Sequence, residues 1–396
     1  MRNRIAIFQY DFAIQSYTKN LIISLAEAGY KVDLFTTYDS TWRNLVDVRE
    51  FNNKNIETYI QGDYPLRAIR VAFKAINIFR NSISRNKHLI DPIALNNSKR
   101  IIKKNLSEYL CFIGIEKQGL IWAGKISEET NIPYIYYSLE LYIEDHPLYH
   151  IFEKFRKDEI FYHQKAMATI IQDKRRAETL FKCNKVSDSY SILFPISVKG
   201  NTNREKTNYF QDKFGIPSDA KIALYFGMIC KRRYSTSLNE IAERLGNNFL
   251  VFHGYGEKDY LNTLKKSKNV IISTDLVDEK KKLDVISSAH VGISLYDNTF
   301  SNDRLTAFSS EKVALYMQVG LPIISFRNES YEELFSNFKC GEMIESIDEF
   351  PAAFNKIIQN YEFYREECFR AFNQYYCFDK NIKSVLEYLD HLKGNT

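Results

Sequence analysis

The chain has 396 residues, too many for one ordinary domain and enough for two large α/β ones. It is 45% hydrophobic and 26% charged, which excludes disorder, collagen or a coiled coil as a description of the whole. Lys and Arg number 54 against 49 Asp and Glu, a net charge of +5, too small an excess to argue for nucleic acid.

The chain opens MRNRIAIFQYDF, where Asp11 interrupts the apolar stretch and no small-residue cleavage site follows, so no secretory signal is expected. RIAIFQ (4–9) reads as a strand, YTKNLIISLAEAGY as a helix ending near Gly29, and KVDLFTT as a second strand. Between Arg67 and Lys104 ten basic residues face one acid, Asp91. There LRAIRVAFKAINIFRNSISR sets Ile69, Phe73 and Ile76 on one helical face beside Arg67, Arg70 and Lys74. Such a helix can rest on an anionic membrane, or pack on a core with its basic side in water. YLCFIGI (109–115), PYIYYSL (133–139), ATIIQ (168–172) and SILFP (191–195) read as further strands, with a long charged-aromatic helix over about 148–165.

Residues 196–208 are polar and aperiodic and read as a linker. A second series follows: strands KIALYFG (221–227), NFLVFHG (248–254), NVIIST (269–274), HVGISLY (290–296) and LPIISF (321–326), alternating with helical segments, then a helical tail from about 346. The pattern predicts an α/β protein of two doubly wound parallel-sheet domains, 1–196 and 209–376, with ligand bound in a cleft at the carboxyl ends of the strands. The six cysteines form no C-x-x-C pair and read as reduced thiols. No stretch approaches the roughly 18 apolar residues of a spanning helix, so a cytoplasmic protein is expected, able to sit peripherally on the inner membrane face.

SSEKVALYMQVGLPIIS carries the strongest chemical signal. Ser309 or Ser310 would cap a helix whose first-turn amides, with Lys312, make a diphosphate site. The competing reading is an ordinary capped helix with a surface lysine. This segment resembles the donor-binding region of GT-B glycosyltransferases, particularly bacterial enzymes that build surface polysaccharides, through Ser309, Lys312, Tyr316, Gly320 and Pro322. ALYFGMICKRR, VFHGYGE, DLVDEKKKLDVISSAHVGISLY, IGIEKQGLIWAG and YYSLELY follow the family's order.

The resemblance implies two Rossmann-like domains facing across a cleft, with a last helix (about 377–396) crossing back to the first. It implies a nucleotide-diphosphate sugar, UDP type favoured, as substrate of the second domain, and a glycan or lipid-linked acceptor in the first. It implies no cofactor and no metal. Gly227 would let the chain approach a phosphate, Lys231 or Arg232 would supply a cation to the pyrophosphate, and Gly254 and Gly256 would pass close to the nucleotide. Tyr316 belongs to the same donor motif, and the backbone near Val277 would hold the nucleobase. His253, ending a strand beside Gly254, is a further donor candidate. Against these stand bland readings: a solvated charge run for Lys231 and Arg232, simple turns for the glycines. One departure matters. The retaining branch, glycosyltransferase family 4, carries two glutamates whose positions here hold Ala307 and Leu315, while Glu311 is out of register. Retention or inversion of the sugar therefore stays open.

In the first domain Glu116 and Glu140 follow predicted strands. Either is a candidate general base for an acceptor hydroxyl, or a partner for sugar hydroxyls, or simply the mate of a nearby cation. Glu140 is preferred because YYSLELY is the family-like segment. No G-x-G-x-x-G follows the first strand, which argues against a nicotinamide or flavin site, and no metal-ligand spacing is visible. His146, His150 and His163 read as ordinary helical histidines. Two alternatives remain: a nucleotide-sugar epimerase of the same architecture, and a catalytically silent binding subunit, which the Ala307 and Leu315 replacements keep open.

Overall fold

The computed structural model describes residues 2–10, 14–37, 51–61, 90–187, 189–264 and 267–394. Arg67, Arg70 and Lys74 of the basic stretch lie outside the described residues. The chain divides into two compact units, Met1–Phe194 with Ile382–Thr396, and Pro195–Asn381.

Each unit is built on a parallel sheet. In the first, the strands are β1 (Arg4–Gln9), β2 (Lys31–Thr37), β3 (Ile56–Gln61), β4 (Tyr109–Ile115), β5 (Tyr134–Tyr137), β6 (Ala168–Ile171) and β7 (Tyr190–Leu193). Their order is β3-β2-β1-β4-β5-β6-β7, every pairing parallel. β1 and β4 are buried at every residue, the signature of central strands covered on both faces. β3 was not expected from sequence. IETYIQ is an edge strand with one buried residue, so its apolar signal is weak. The helix Glu116–Thr130 lies directly on β1 and β4. A Cβ on Gly119 would come within 2.2 Å of the Phe8 carbonyl oxygen, so only glycine lets it seat there. The long helix expected over 148–165 is instead two short helices, Tyr149–Phe152 and Arg156–His163, joined by a 3₁₀ turn. Phe155 turns into the core, while Phe152 stacks on Tyr142 with ring centroids 3.9 Å apart.

The second unit has β8 (Ile222–Met228), β9 (Phe249–Tyr255), β10 (Val270–Ser273), β11 (Val291–Ile293), β12 (Ile323–Phe326) and β13 (Gly341–Ile344) in the order β10-β9-β8-β11-β12-β13, again parallel throughout. Successive residues of β8 enter opposite cores: Ile222 and Leu224 one, Ala223 and Tyr225 the other. The last helix, Phe378–Gly394, carries Asp390 to the Tyr30 hydroxyl, which donates to it at 2.6 Å, and Tyr388 stacks on Tyr190. Among the described residues no helix is long and apolar enough to cross a membrane.

In both sheets the winding direction reverses once, between β1 and β4 and between β8 and β11. Open α/β sheets bind ligands outside the carboxyl ends of the strands at such a reversal.

Candidate functional site

At the β8–β11 reversal the helix Glu311–Gln318 begins. Ser310 occupies the N-cap position, but its hydroxyl meets the Tyr296 hydroxyl at 2.8 Å and caps no amide. Ser309 Oγ donates to the Leu305 carbonyl instead, at 2.9 Å. The Ser310 side chain therefore caps none of the first-turn amides, which lie at the positive end of the helix dipole. Lys312, in that first turn, is partly buried, and its ammonium lies 4.4 Å from the Tyr225 ring centroid and 4.8 Å from that of Tyr296. It makes no hydrogen bond or ion pair among the described residues. Arg233 lies 4.4 Å from the Tyr296 centroid and pairs with Asp303 through contacts of 2.8 and 3.4 Å. Asp303 thus compensates the guanidinium and leaves the ammonium as the uncompensated charge. Burial first, and the Arg233 cation second, lower Lys312 to about 7. Two ring faces attract a cation but offset only part of its lost hydration. An ammonium so held favours an anion.

The other donor-side candidates separate sharply. Lys231 and Arg232 are exposed on the 3₁₀ turn Lys231–Arg233; the third cation, Arg233, is the one turned to Tyr296 and Asp303. With three residues per turn, only one of three consecutive side chains can point to a given side, and this is the signal that could have picked it out. Gly227 and Gly254 lie opposite one another at the ends of β8 and β9. Gly254, at φ +155°, would drive a Cβ to 1.9 Å from the Gly227 carbonyl oxygen, while Gly227 itself sits at φ +125° with open space around it. Gly256 lets the chain pass the Ile229 carbonyl. Val277 is half-buried, its side chain packed on the core.

Two candidates are buried. His253 is 2% exposed, stacks on Phe226 and shares a 2.9 Å hydrogen bond between Nδ1 and the Ser273 hydroxyl; burial holds it below its usual range. Tyr316 is fully buried, its hydroxyl donating to the Leu224 carbonyl (3.0 Å) and accepting from the Phe226 amide (3.1 Å). It locks the helix to β8 and has no surface for a ligand. Tyr316→Phe strands that amide and carbonyl and should cost about 1–3 kcal/mol of stability; an unchanged thermal melt would contradict this role. Ala307 and Leu315 are likewise core residues.

In the first unit β4 runs into the helix Glu116–Thr130 with no connecting residue, and Glu116 makes the turn alone, in the left-handed region at φ +59°. A non-glycine residue held there is strained, and such strain clusters at functional positions. Glu116 Oε1 accepts from the amides of Leu139 and Glu140, both at 2.8 Å. Burial first, and the Glu140 charge second, push Glu116 up to about 8 against the pull of those two amides. The Glu140 carboxylate is partly buried and makes no hydrogen bond or ion pair among the described residues. The structure thus brings both acidic candidates together beyond β4 and β5, but strain and a raised proton affinity single out Glu116, where sequence likeness had favoured Glu140. A carboxyl group titrating near neutrality is matched to moving a hydroxyl proton. His163 is a core residue, bonded to Thr169 and Asn184 and lowered to about 3 by burial.

No family model matches the chain. A probable sucrose-phosphate synthase of Thermosipho melanesiensis is 27% identical over 139 residues, 35% of this chain and only 31% of that protein. Among solved structures, sucrose-phosphate synthase from Thermosynechococcus elongatus is similar over 100% of both chains, with a TM-score of 0.72 and 13% identity. HepE from Anabaena, in complex with UDP-glucose, is similar over 98% of this chain and 99% of its own, with a TM-score of 0.66 and 12% identity. These likenesses establish the fold: the chain is an α/β protein whose two parallel sheets and flanking helices are those of GT-B glycosyltransferase structures.

Proposed function

We propose that the chain is a glycosyltransferase that moves a sugar from a nucleotide-diphosphate donor of UDP type to a hydroxyl of a glycan, without a metal ion. The observation that carries this reading is Lys312, held uncompensated against Tyr225 and Tyr296 at the start of a helix whose N-cap side chain bonds no amide. Those amides and Lys312 would neutralise the diphosphate as it leaves, while Arg233 stays paired with Asp303. Glu116 would take the proton of the acceptor hydroxyl. The similarity to HepE, a structure with UDP-glucose bound, supports the donor class. With apolar Ala307 and Leu315 in the core, ribose and sugar hydroxyls must find other partners than the paired glutamates of the retaining branch. The basic stretch around Arg67, Arg70 and Lys74 supports a lipid-linked acceptor, a precursor of a surface polysaccharide, met at an anionic membrane.

The donor reading has a pH signature. Lys312 must be protonated to hold the diphosphate and in the free protein loses its proton near 7. Binding above that pH takes up a proton, so the affinity for UDP should fall towards about tenfold per pH unit between about 7.5 and 9, where the phosphates are already ionised. Calorimetry across that range checks it; a flat profile contradicts it.

Incubation with UDP-, GDP-, CDP-, ADP- and dTDP-sugars, with and without a glycan and lipid extract, tests the activity. Acceptor-dependent release of UDP supports the transferase. An isomerised sugar nucleotide would mark an epimerase, and binding without turnover a silent subunit.

A further inference from the structure

Glu116 receives two amides from one short segment, which requires the 138–140 backbone to be fixed in direction. Its carbonyls are held by two side chains from the next strand and helix. Gln172, immediately after β6, donates from Nε2 to the Ser138 carbonyl at 2.7 Å. Arg176, in the helix Lys174–Asn184, donates from Nη2 to the Leu139 carbonyl at 2.7 Å. The two are joined, Arg176 Nε donating to Gln172 Oε1 at 2.7 Å. The Ser138 amide donates to Ile170 of β6 at 3.0 Å, so the segment is anchored along its whole length. Arg176 is 1% exposed. Burying a guanidinium is costly, and a leucine would anchor the helix as well; what a leucine lacks is the fork that grips a carbonyl and Gln172 together.

We propose that Gln172 and Arg176 are positioning residues for the acceptor side of the reaction, clamping the 138–140 segment by its carbonyls so that its amides grip Glu116 Oε1. This rests on the acceptor-side reading of Glu116. Among the described residues the charged and titratable groups facing that carboxyl are Glu140, Lys117 and the phenols of Tyr136 and Tyr137. None is altered by the two variants that test the clamp. Arg176→Lys keeps the charge and loses the fork. Gln172→Met is neutral, of similar length, and loses the donor to Ser138.

The experiment follows the ¹³C resonance of the Glu116 carboxyl carbon through a pH titration of the full chain, assigned by its loss in Glu116→Gln, with thermal melts identifying the folded variants. Each amide bonded to a carboxylate lowers its midpoint by about one pH unit, so either variant should raise the midpoint by about that amount. UDP affinity should stay within about twofold of the unaltered chain, because the donor residues lie in the other unit. An unchanged midpoint in a folded variant overturns the clamp. A midpoint in the ordinary carboxylate range in the unaltered chain overturns the acceptor-side reading itself, and the clamp with it.

Discussion

Replacing Lys312 with alanine is expected to weaken UDP binding about 10–150-fold while the protein stays folded. A hydrogen bond to a charged group contributes about 1.5–3 kcal/mol, and about 1.4 kcal/mol is a factor of ten in affinity. The ammonium is suited to show the full effect because no carboxylate among the described residues competes for it. Arg233 is a less clean probe, since its removal also strands the Asp303 carboxylate, 3% exposed at the side chain. Isothermal titration with UDP measures the change. A dissociation constant equal to that of the unaltered protein would remove Lys312 from the donor site.

The second large effect is expected at Glu116. Glu116→Gln should lower kcat by ~10²–10⁴, the range of general acid–base assistance, and leave UDP affinity unchanged. Glutamine is the right substitution because its amide oxygen can still accept from Leu139 and Glu140, so the strained turn and the 138–140 segment keep their contacts. Only the capacity to take a proton is lost. Glu116 gains its proton as pH falls through about 8, so kcat/KM of the unaltered protein should decline below that point. The glutamine variant should lack that limb. Near-normal turnover by Glu116→Gln would end its role as base.

The parallel architecture was visible in the sequence because central strands such as RIAIFQ and YLCFIGI bury both faces and read as unbroken apolar runs. β3 and β13 were not, since both are edge strands and the polar residues of IETYIQ and GEMI break the apolar run. Within the candidate donor site Lys312 stood out because its partners in the motif are adjacent in sequence. Arg233, Tyr296 and Asp303 did not. They meet through a 3₁₀ turn, the exit of β11 and a one-turn helix, and no spacing encodes that meeting. Tyr316 and His253 looked like ligand contacts from their neighbours in the motif, yet the Tyr316 hydroxyl and His253 Nδ1 both bond inside the core. Glu116 was legible as an acid at a strand end. Its strain was not, because the left-handed turn arises from the absence of any residue between β4 and the following helix.

The central claim, that the entrance of the Glu311–Gln318 helix grips a nucleotide diphosphate, is tested most directly by a crystal structure of the chain with UDP. The account predicts diphosphate oxygens about 2.7–3.1 Å from Lys312 Nζ and from the amides of the first helical turn. Bound UDP with its diphosphate elsewhere, and Lys312 still resting only against Tyr225 and Tyr296, would contradict it.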